Sequence, residues 1–461
     1  MTCADARARR ATLVLVVSLG FGLGLALAPA ARADDNHYQN YLMGDRAAGL
    51  GGAFTALSDD GSGIYYNPAG LAEAEHSSIS ITAAVYGWAT RTDRLGNTGV
   101  NADDRAFVNY PTTTIWTQRV RKGRPDGVGR IQLAAALLSP SSAVERRRLF
   151  YRTDLGGATP AVANVVNMLV SEDDTLWFGL GMGAKVARRV SLGVSVFGTM
   201  RNGVRQYHNL TLLTVSQAEG TDDFGLADRA DLRFTQWGLV AQAGAVVSAT
   251  TRLRFGAAFR TPVFQLASST HLNTIFIDRP NDRLQVSGQE LGARFQARQP
   301  WKATVGAAYA VPRRWAATLD VSLHGPVGRY AVLEVDPPFT PAEIYPMTKR
   351  MVVQVNAGAE LYLGRYVPLR AGFFTNLSSW DGGNTFCTRE DTSCPTAINP
   401  FADGVDRYGV AGSVGFELEQ VTFNLGLSYN AGGRTEQLGT YGEMQVRRSF
   451  LFALVGGAFR F

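Results

Sequence analysis

Few residues of this chain could carry out chemistry on a substrate. Five histidines, His37, His76, His208, His271 and His324, are spread over 461 residues, and only His324 stands in a suggestive trio. Asp320, Ser322 and His324 alternate along one stretch and have the residue types of an acyl-transfer triad. Alternate residues of one strand sit about 6.6–6.8 Å apart at Cα, whereas a working triad draws its members from different elements. A polar strand face yields the same trio without catalysis, so the expectation is a protein that is not an enzyme. No P-loop or zinc-type ligand spacing occurs, and Gly49-x-Gly51-Gly52 opens no βαβ unit, so neither a metal nor a cofactor is expected.

Carboxylate binding is the chemistry the cations could perform. Period-two alternation puts Lys185, Arg201, Arg254, Arg260, Lys302, Arg350 and Arg370 on the polar face of their strands, with Asp320, Glu360 and Glu417. Most of these charges are expected to pair with one another. Arg201, Arg260, Lys302 and Arg350 are the candidates for a substrate carboxylate, because guanidinium and ammonium groups give charge-assisted hydrogen bonds in a partly dry pocket. Elsewhere, Thr159-Pro160 followed by Val162, Val165, Val166 and Leu169 offers an N-cap, a first-turn proline and an i, i+3, i+4, i+7 stripe. That spacing predicts an amphipathic helix, which either closes loops over the fold or forms an apolar capture groove. Cys387 and Cys394 are an even pair in a Gly/Asp/Thr/Ser-rich segment, which favours a loop disulfide in an exported chain.

The elements that must position these residues follow from patterning. Residues 13–28 form an apolar run behind Arg7, Arg9 and Arg10, and Ala31-Arg32-Ala33 follows as a small-residue cleavage pattern. This reads as a signal peptide over 1–33, outside the fold. Its removal takes four arginines and one aspartate, lowering the net charge from +6 to +3. Such a balance, with no basic stripe, gives no reason to expect nucleic acid. Hydrophobic content is 46% and mean hydropathy −0.04, with no second apolar run of about 20 residues, so helical membrane spans are excluded.

From residue 77 onward the chain alternates apolar and polar. Met351, Val353, Val355, Ala357, Ala359, Leu361 and Leu363 oppose Arg350, Gln354, Asn356 and Glu360; Val421, Phe423, Leu425, Leu427 and Tyr429 oppose Asn424, Ser428 and Asn430. Short turns are expected near 121–127, 188–189, 249–251, 312–314, 364–366 and 419–420. Long loops are expected over roughly 91–105, 140–173, 204–229, 263–292, 326–348, 377–405 and 432–445. Alternating short and long connections predict a 14-stranded antiparallel transmembrane β-barrel over 77–461, the pattern of the bacterial outer membrane.

Ahead of the barrel, 34–76 has a different texture. Gly44-Asp45-Arg46-Ala47-Ala48-Gly49-Leu50-Gly51-Gly52-Ala53-Phe54 is followed by Asn67-Pro68-Ala69-Gly70, a set of turns with no strand alternation. This pair of motifs resembles the N-terminal hatch of the FadL/TodX family, outer-membrane transporters of long-chain fatty acids and aromatic hydrocarbons. The resemblance implies a hatch (plug) inside the barrel lumen, with Gly49, Gly51, Gly52, Phe54, Asn67, Pro68, Ala69 and Gly70 as its gating residues. It further implies passive uptake of a hydrophobic small-molecule ligand, long-chain fatty acids first, captured at the loops and released through a gap in the wall. Gly127 and Gly129 would permit a kinked third strand there. Hatch-bearing relatives that anchor or shuttle proteins for a secretion system supply the alternative. The stretch 449–461 alternates to Phe461 and resembles the terminal aromatic strand read by the outer-membrane insertion machinery. Outer-membrane lipid is the remaining partner expected.

Overall fold

The computed structural model describes residues 36–95, 100–108, 112–154, 161–217, 220–278, 285–335, 344–380, 404–437 and 443–461. The leader expected over 1–33, Thr159-Pro160, and Cys387 with Cys394 lie outside the described residues.

The sheet begins with β1 (Ser78–Leu95), β2 (Val100–Val108), β3 (Thr112–Arg121), β4 (Ile131–Asp154) and β5 (Ala161–Ala187). Next come β6 (Val190–Gln217), β7 (Gly220–Ser248), β8 (Leu253–Arg260), β9 (Phe264–Asp278) and β10 (Gln285–Phe295). Then follow β11 (Lys302–Val311), β12 (Trp315–His324), β13 (Val327–Val335), β14 (Ile344–Lys349) and β15 (Val352–Leu363). The sheet ends with β16 (Val367–Asn376), β17 (Arg407–Glu417), β18 (Val421–Gln437) and β19 (Glu443–Arg460). Five pairs are collinear halves of one stave: β2 with β3, β8 with β9, β10 with β11, β12 with β13, and β14 with β15. The result is a closed antiparallel barrel of fourteen staves. Closure runs from Ser78↔Arg460 to Leu95↔Met444 between β1 and β19.

Alternation decides which way each side chain points. On β12, Leu319 and Val321 are exposed on the outer wall, while Thr318, Asp320, Ser322 and His324 are buried within. On β18 the outer row is Val421, Phe423, Leu425, Leu427 and Tyr429, and the inner row contains Asn424, Ser428 and Asn430. The lower staves are short: β11, β12 and β16 have 10 residues and β15 has 12, close to the ~9–11 that a tilted strand needs to cross lipid. All six short turns fall where the pattern put them.

The long connections differ from expectation. Residues 140–173 and 204–229 are largely ladder, because β4 to β7 run for 24, 27, 28 and 29 residues. The helix expected over Val162, Val165, Val166 and Leu169 is instead part of β5, paired to β4 and β6 along its length. Two facts explain the outcome. Valines are stiff at χ1 and favour strands, and two neighbouring strands satisfy every backbone group that a lone loop helix would leave to water. A strand also divides the 3.6-residue stripe between two faces, with Leu169 fully buried on one of them.

Inside the barrel lies the N-terminal segment, with α1 (Asp45–Gly49), α2 (Gly63–Tyr66) and a 3₁₀ turn, η1 (Pro68–Glu73). Leu50, Phe54, Leu57, Ile64 and Leu71 are at most 1% exposed. Its backbone comes so close to the wall that a Cβ on Gly193 would lie 2.2 Å from Pro68 and one on Gly372 2.1 Å from Gly51. Glycine at those wall positions is therefore a steric requirement. Gly51 (φ +64°) and Gly52 (φ +77°) turn the segment sharply, a conformation disfavoured for residues with a Cβ.

Candidate functional site: the cavity above the N-terminal segment

Register aligns the key side chains. Lys302 on β11 is the partner of Arg260 on β8 and of His324 on β12, and Arg260 is in turn paired with Gln242 on β7. These residues end the lower ladder of three neighbouring staves and form one inward row. Arg260, Lys302 and His324, with Arg201, Lys349, Trp177, Tyr65 and Tyr38, line a cavity of about 50 Å³. Three of the four carboxylate candidates, Arg201, Arg260 and Lys302, thus meet at one place.

Their availability differs. Arg201 is buried, donates from Nε to Asp173 at 2.7 Å, and lies over the Phe234 and Phe295 rings at 5.9 and 5.6 Å. Arg260 donates to the Tyr65 carbonyl at 2.8 Å and to Gln242 at 3.0 Å. Its guanidinium is also covered by Tyr65 at 4.4 Å and Trp177 at 5.0 Å. The Lys302 side chain makes no hydrogen bond or ion pair to another described residue, with Asp320 as a neighbouring opposite charge, and its position on the cavity wall leaves its ammonium for an occupant. His324, stacked on Tyr38 with centroids 4.4 Å apart, has Nε2 buried without a partner, and so does Trp177 at Nε1. Buried polar atoms without partners are costly, so water or a ligand head group belongs against this wall.

Arg350 is not in this site. The strand expected over 350–363 is interrupted at 350–351, and the break lets the side chain turn outward to half exposure, where it bonds the Ser378 carbonyl and Asp406. Lys349 takes the inward position, donating to the Arg298 carbonyl at 2.8 Å. Lys349, His324 and Trp177 were missed as site residues. The inward parity of His324, one residue ahead of Gly325-Pro326, was the available signal.

The N-terminal segment floors the cavity and is fastened to the wall. Asp320 accepts from the backbone N–H groups of Phe54 and Thr55, both at 2.8 Å. Asn67 is fully buried; its Nδ2 donates to Thr55 and Ala245 carbonyls and its Oδ1 accepts from Ala69. Pro68 opens η1, and Gly70 packs on the Ser58 backbone. Gly49 lies against Ser413 and Arg370. Phe54 packs edge-on to Tyr66. On the short-turn side, Arg46 bridges Asp59 and Glu360, and Arg370 joins Glu360 to Glu417. Arg46, Asp59, Arg370 and Glu417 line a second, polar cavity of about 250 Å³. Burial pushes the Asp60 carboxyl up to about 6, against the opposing pull of Arg46 and Ser62. Burial also raises Glu73, but hydrogen bonds from Ser191 and Lys185 outweigh it and hold this carboxyl below the usual range.

No protein-family model and no curated protein sequence matches the chain. Solved structures do match. The CymD monoaromatic hydrocarbon channel is 12% identical with a TM-score of 0.56, covering 91% of this chain and 98% of its own. A Pseudomonas aeruginosa FadL homologue is 13% identical at TM-score 0.55, with 94% and 99% covered. The P. putida toluene transporter TodX is 12% identical at TM-score 0.56, with 92% and 99% covered. What the chain shares with these structures is the fold, a closed fourteen-stave barrel with its N-terminal segment inside. Its fold is of the FadL/TodX type.

Proposed function

We propose that this protein is an outer-membrane channel for passive uptake of hydrophobic small molecules, with long-chain fatty acids as the principal ligand. The cavity row supports this reading. An unpartnered Lys302 ammonium stands beside unpartnered His324 Nε2 and Trp177 Nε1, with Tyr65, Val240 and Val263 on the same cavity wall for an apolar tail. A hydrocarbon alone would leave those polar groups bare. A carboxylate offers them acceptors, and Arg260 and Arg201 add positive field.

Release through the wall fits the interruption in β4, where the β4–β5 register slips between Leu138 and Ser141, at Pro140 on the cavity lining. The polar short-turn cavity suits an apolar passenger poorly. The lumen segment, residues 34–76, serves as the hatch, with Asn67, Pro68 and the glycines Gly49, Gly51, Gly52 and Gly70 holding the shape that must switch. β19, with Phe459 and Phe461 on one outer face, serves as the strand read by the insertion machinery, in a wall that faces outer-membrane lipid.

Replacing Lys302 with Met removes one charge-assisted contact worth about 1.5–3 kcal/mol, a roughly 10- to 100-fold loss of affinity. Titration of the purified barrel with a labelled long-chain fatty acid should show that loss. The alcohol of the same chain length should bind the variant as it binds the wild type. Equal fatty-acid affinity in both proteins would refute the carboxylate site.

A further inference from the structure

The wall has a second interruption, far larger than the slip in β4. The seventh, eighth, ninth and tenth staves all leave the ladder, at residues 261–263, 296–301, 325–326 and 350–351. Three of these breaks contain a proline: Pro262, Pro300 and Pro326. Proline has no N–H to give a neighbouring strand, so each one ends the pairing of its stave. Below the break, β8, β11, β12 and β15 pair as a regular sheet. Above it the same stave order resumes with sparser pairing: β9 pairs β7 and β10, while β10 meets β13 only through its last three residues. Lower and upper sheets therefore meet along a seam with no continuous ladder across it.

The seam borders the cavity. Thr261, Val263, Gln299 and Pro300 come from the breaks, and Arg260, Lys302 and His324 end the sheet beneath them. Residues 296–300 cross the gap as a strap with no ladder of its own, held by side-chain and isolated backbone bonds and by Ala297 packed in an apolar cluster with Phe295, Tyr330 and Val332. Gln236 donates to the Ala297 carbonyl at 3.0 Å and accepts from its N–H at 3.1 Å. Lys349 holds the Arg298 carbonyl, and Gln296 donates to Val332. Trp301 fills the lower lip, stacked on Phe259 and pressed against Gly325. The outer wall on either side presents Phe259, Phe264, Leu266, Val305 and Met351, all exposed and apolar. The lower staves reach the seam after 8 to 12 residues, which sets it at the outer end of the lipid-crossing band.

We propose that this proline seam is a lateral portal through which an amphiphilic ligand passes between the outer-leaflet interface and the cavity, with residues 296–300 as its movable bar. The portal is distinct from the release point at the β4 slip and rests on the fatty-acid reading of the cavity. A cavity of about 50 Å³ leaves little free room for a long acyl chain unless a wall yields, and at the seam no continuous ladder joins the lower sheet to the upper. The head group meets Lys302 just inside the seam, while the tail retains contact with the apolar outer wall until the bar closes.

The test uses full-length protein with Cys387 and Cys394 changed to serine, in detergent and in vesicles. In one variant, Gln236→Cys with Ala297→Cys is joined by a short thiol-reactive crosslinker, pinning the bar to β7. In another, Gln236→Leu removes both contacts to Ala297. Stopped-flow exchange of a fluorescent fatty acid should slow tenfold or more on crosslinking, and quicken several-fold both in the double-cysteine variant before crosslinking and in Gln236→Leu. Equilibrium affinity should change little in either variant. Exchange rates unaltered by both changes would overturn the portal while leaving the cavity reading intact. Absence of fatty-acid binding to the parent protein would instead sink that reading, and the portal with it.

Discussion

A single buried amide shows how the N-terminal segment is held. Asn67 uses both amide hydrogens on carbonyls of two different elements and its oxygen on the first turn of η1. Asn67→Ala removes these contacts at a cost of about 1–3 kcal/mol, too little to open a barrel whose ladder closes on itself. The expected result is normal assembly, judged by heat-modifiable migration on gels, with altered uptake of labelled fatty acid per assembled barrel. Parity alone made Lys302, Arg260 and Asp320 legible in the sequence, because a strand of known direction has only two faces. Arg350 was misplaced for the same reason: parity carries no further than the strand, and the strand breaks beside it. Trp177 was illegible because its orphaned N–H depends on what stands opposite, which no spacing encodes.

At the scale of elements, η1 is tied to the wall by Glu73, which accepts from Lys185 at 3.0 Å and from Ser191 at 2.6 Å on β5 and β6. A carboxyl held below its unfolded value of about 4.3 stabilises the folded form above that pH and loses the effect as pH falls through its folded value. Glu73→Gln should therefore melt below wild type at pH 7. The difference should vanish toward pH 3 in thermal scans of the detergent-solubilised protein. A difference constant over that range would assign the loss to packing. Turns were the most readable elements, since Arg188-Arg189 and Glu419-Gln420 interrupt otherwise unbroken alternation. The stretch 161–170 was the least readable: valines four residues apart satisfy a helix and a strand equally until neighbouring strands are known.

For the whole molecule, short turns at one rim and tall hairpins at the other set the orientation. A protease site placed in the turn at Pro312 should survive protease added to intact cells, while one placed after Gln217 at the top of β6 should be cut. The opposite pattern would invert the barrel. Stave number was readable because it follows from counting connections. The broken wall in the seventh to tenth staves was not, although Pro262, Pro300 and Pro326 stood in plain view. Each proline alone reads as a loop, and only register reveals that the three lie level.

Pairing of β1 with β19 also has a consequence for synthesis. Residues near the start of the sheet hydrogen-bond to residues about 360 positions later, from Ser78↔Arg460 upward. Such separation makes contact order high and closure the slowest, last step. A nascent chain released before residue 443 would have every hairpin up to β18 available and still own two raw edges, each a template for another chain. Quality control of this protein thus comes down to one test late in its biogenesis: whether its first strand has met its last.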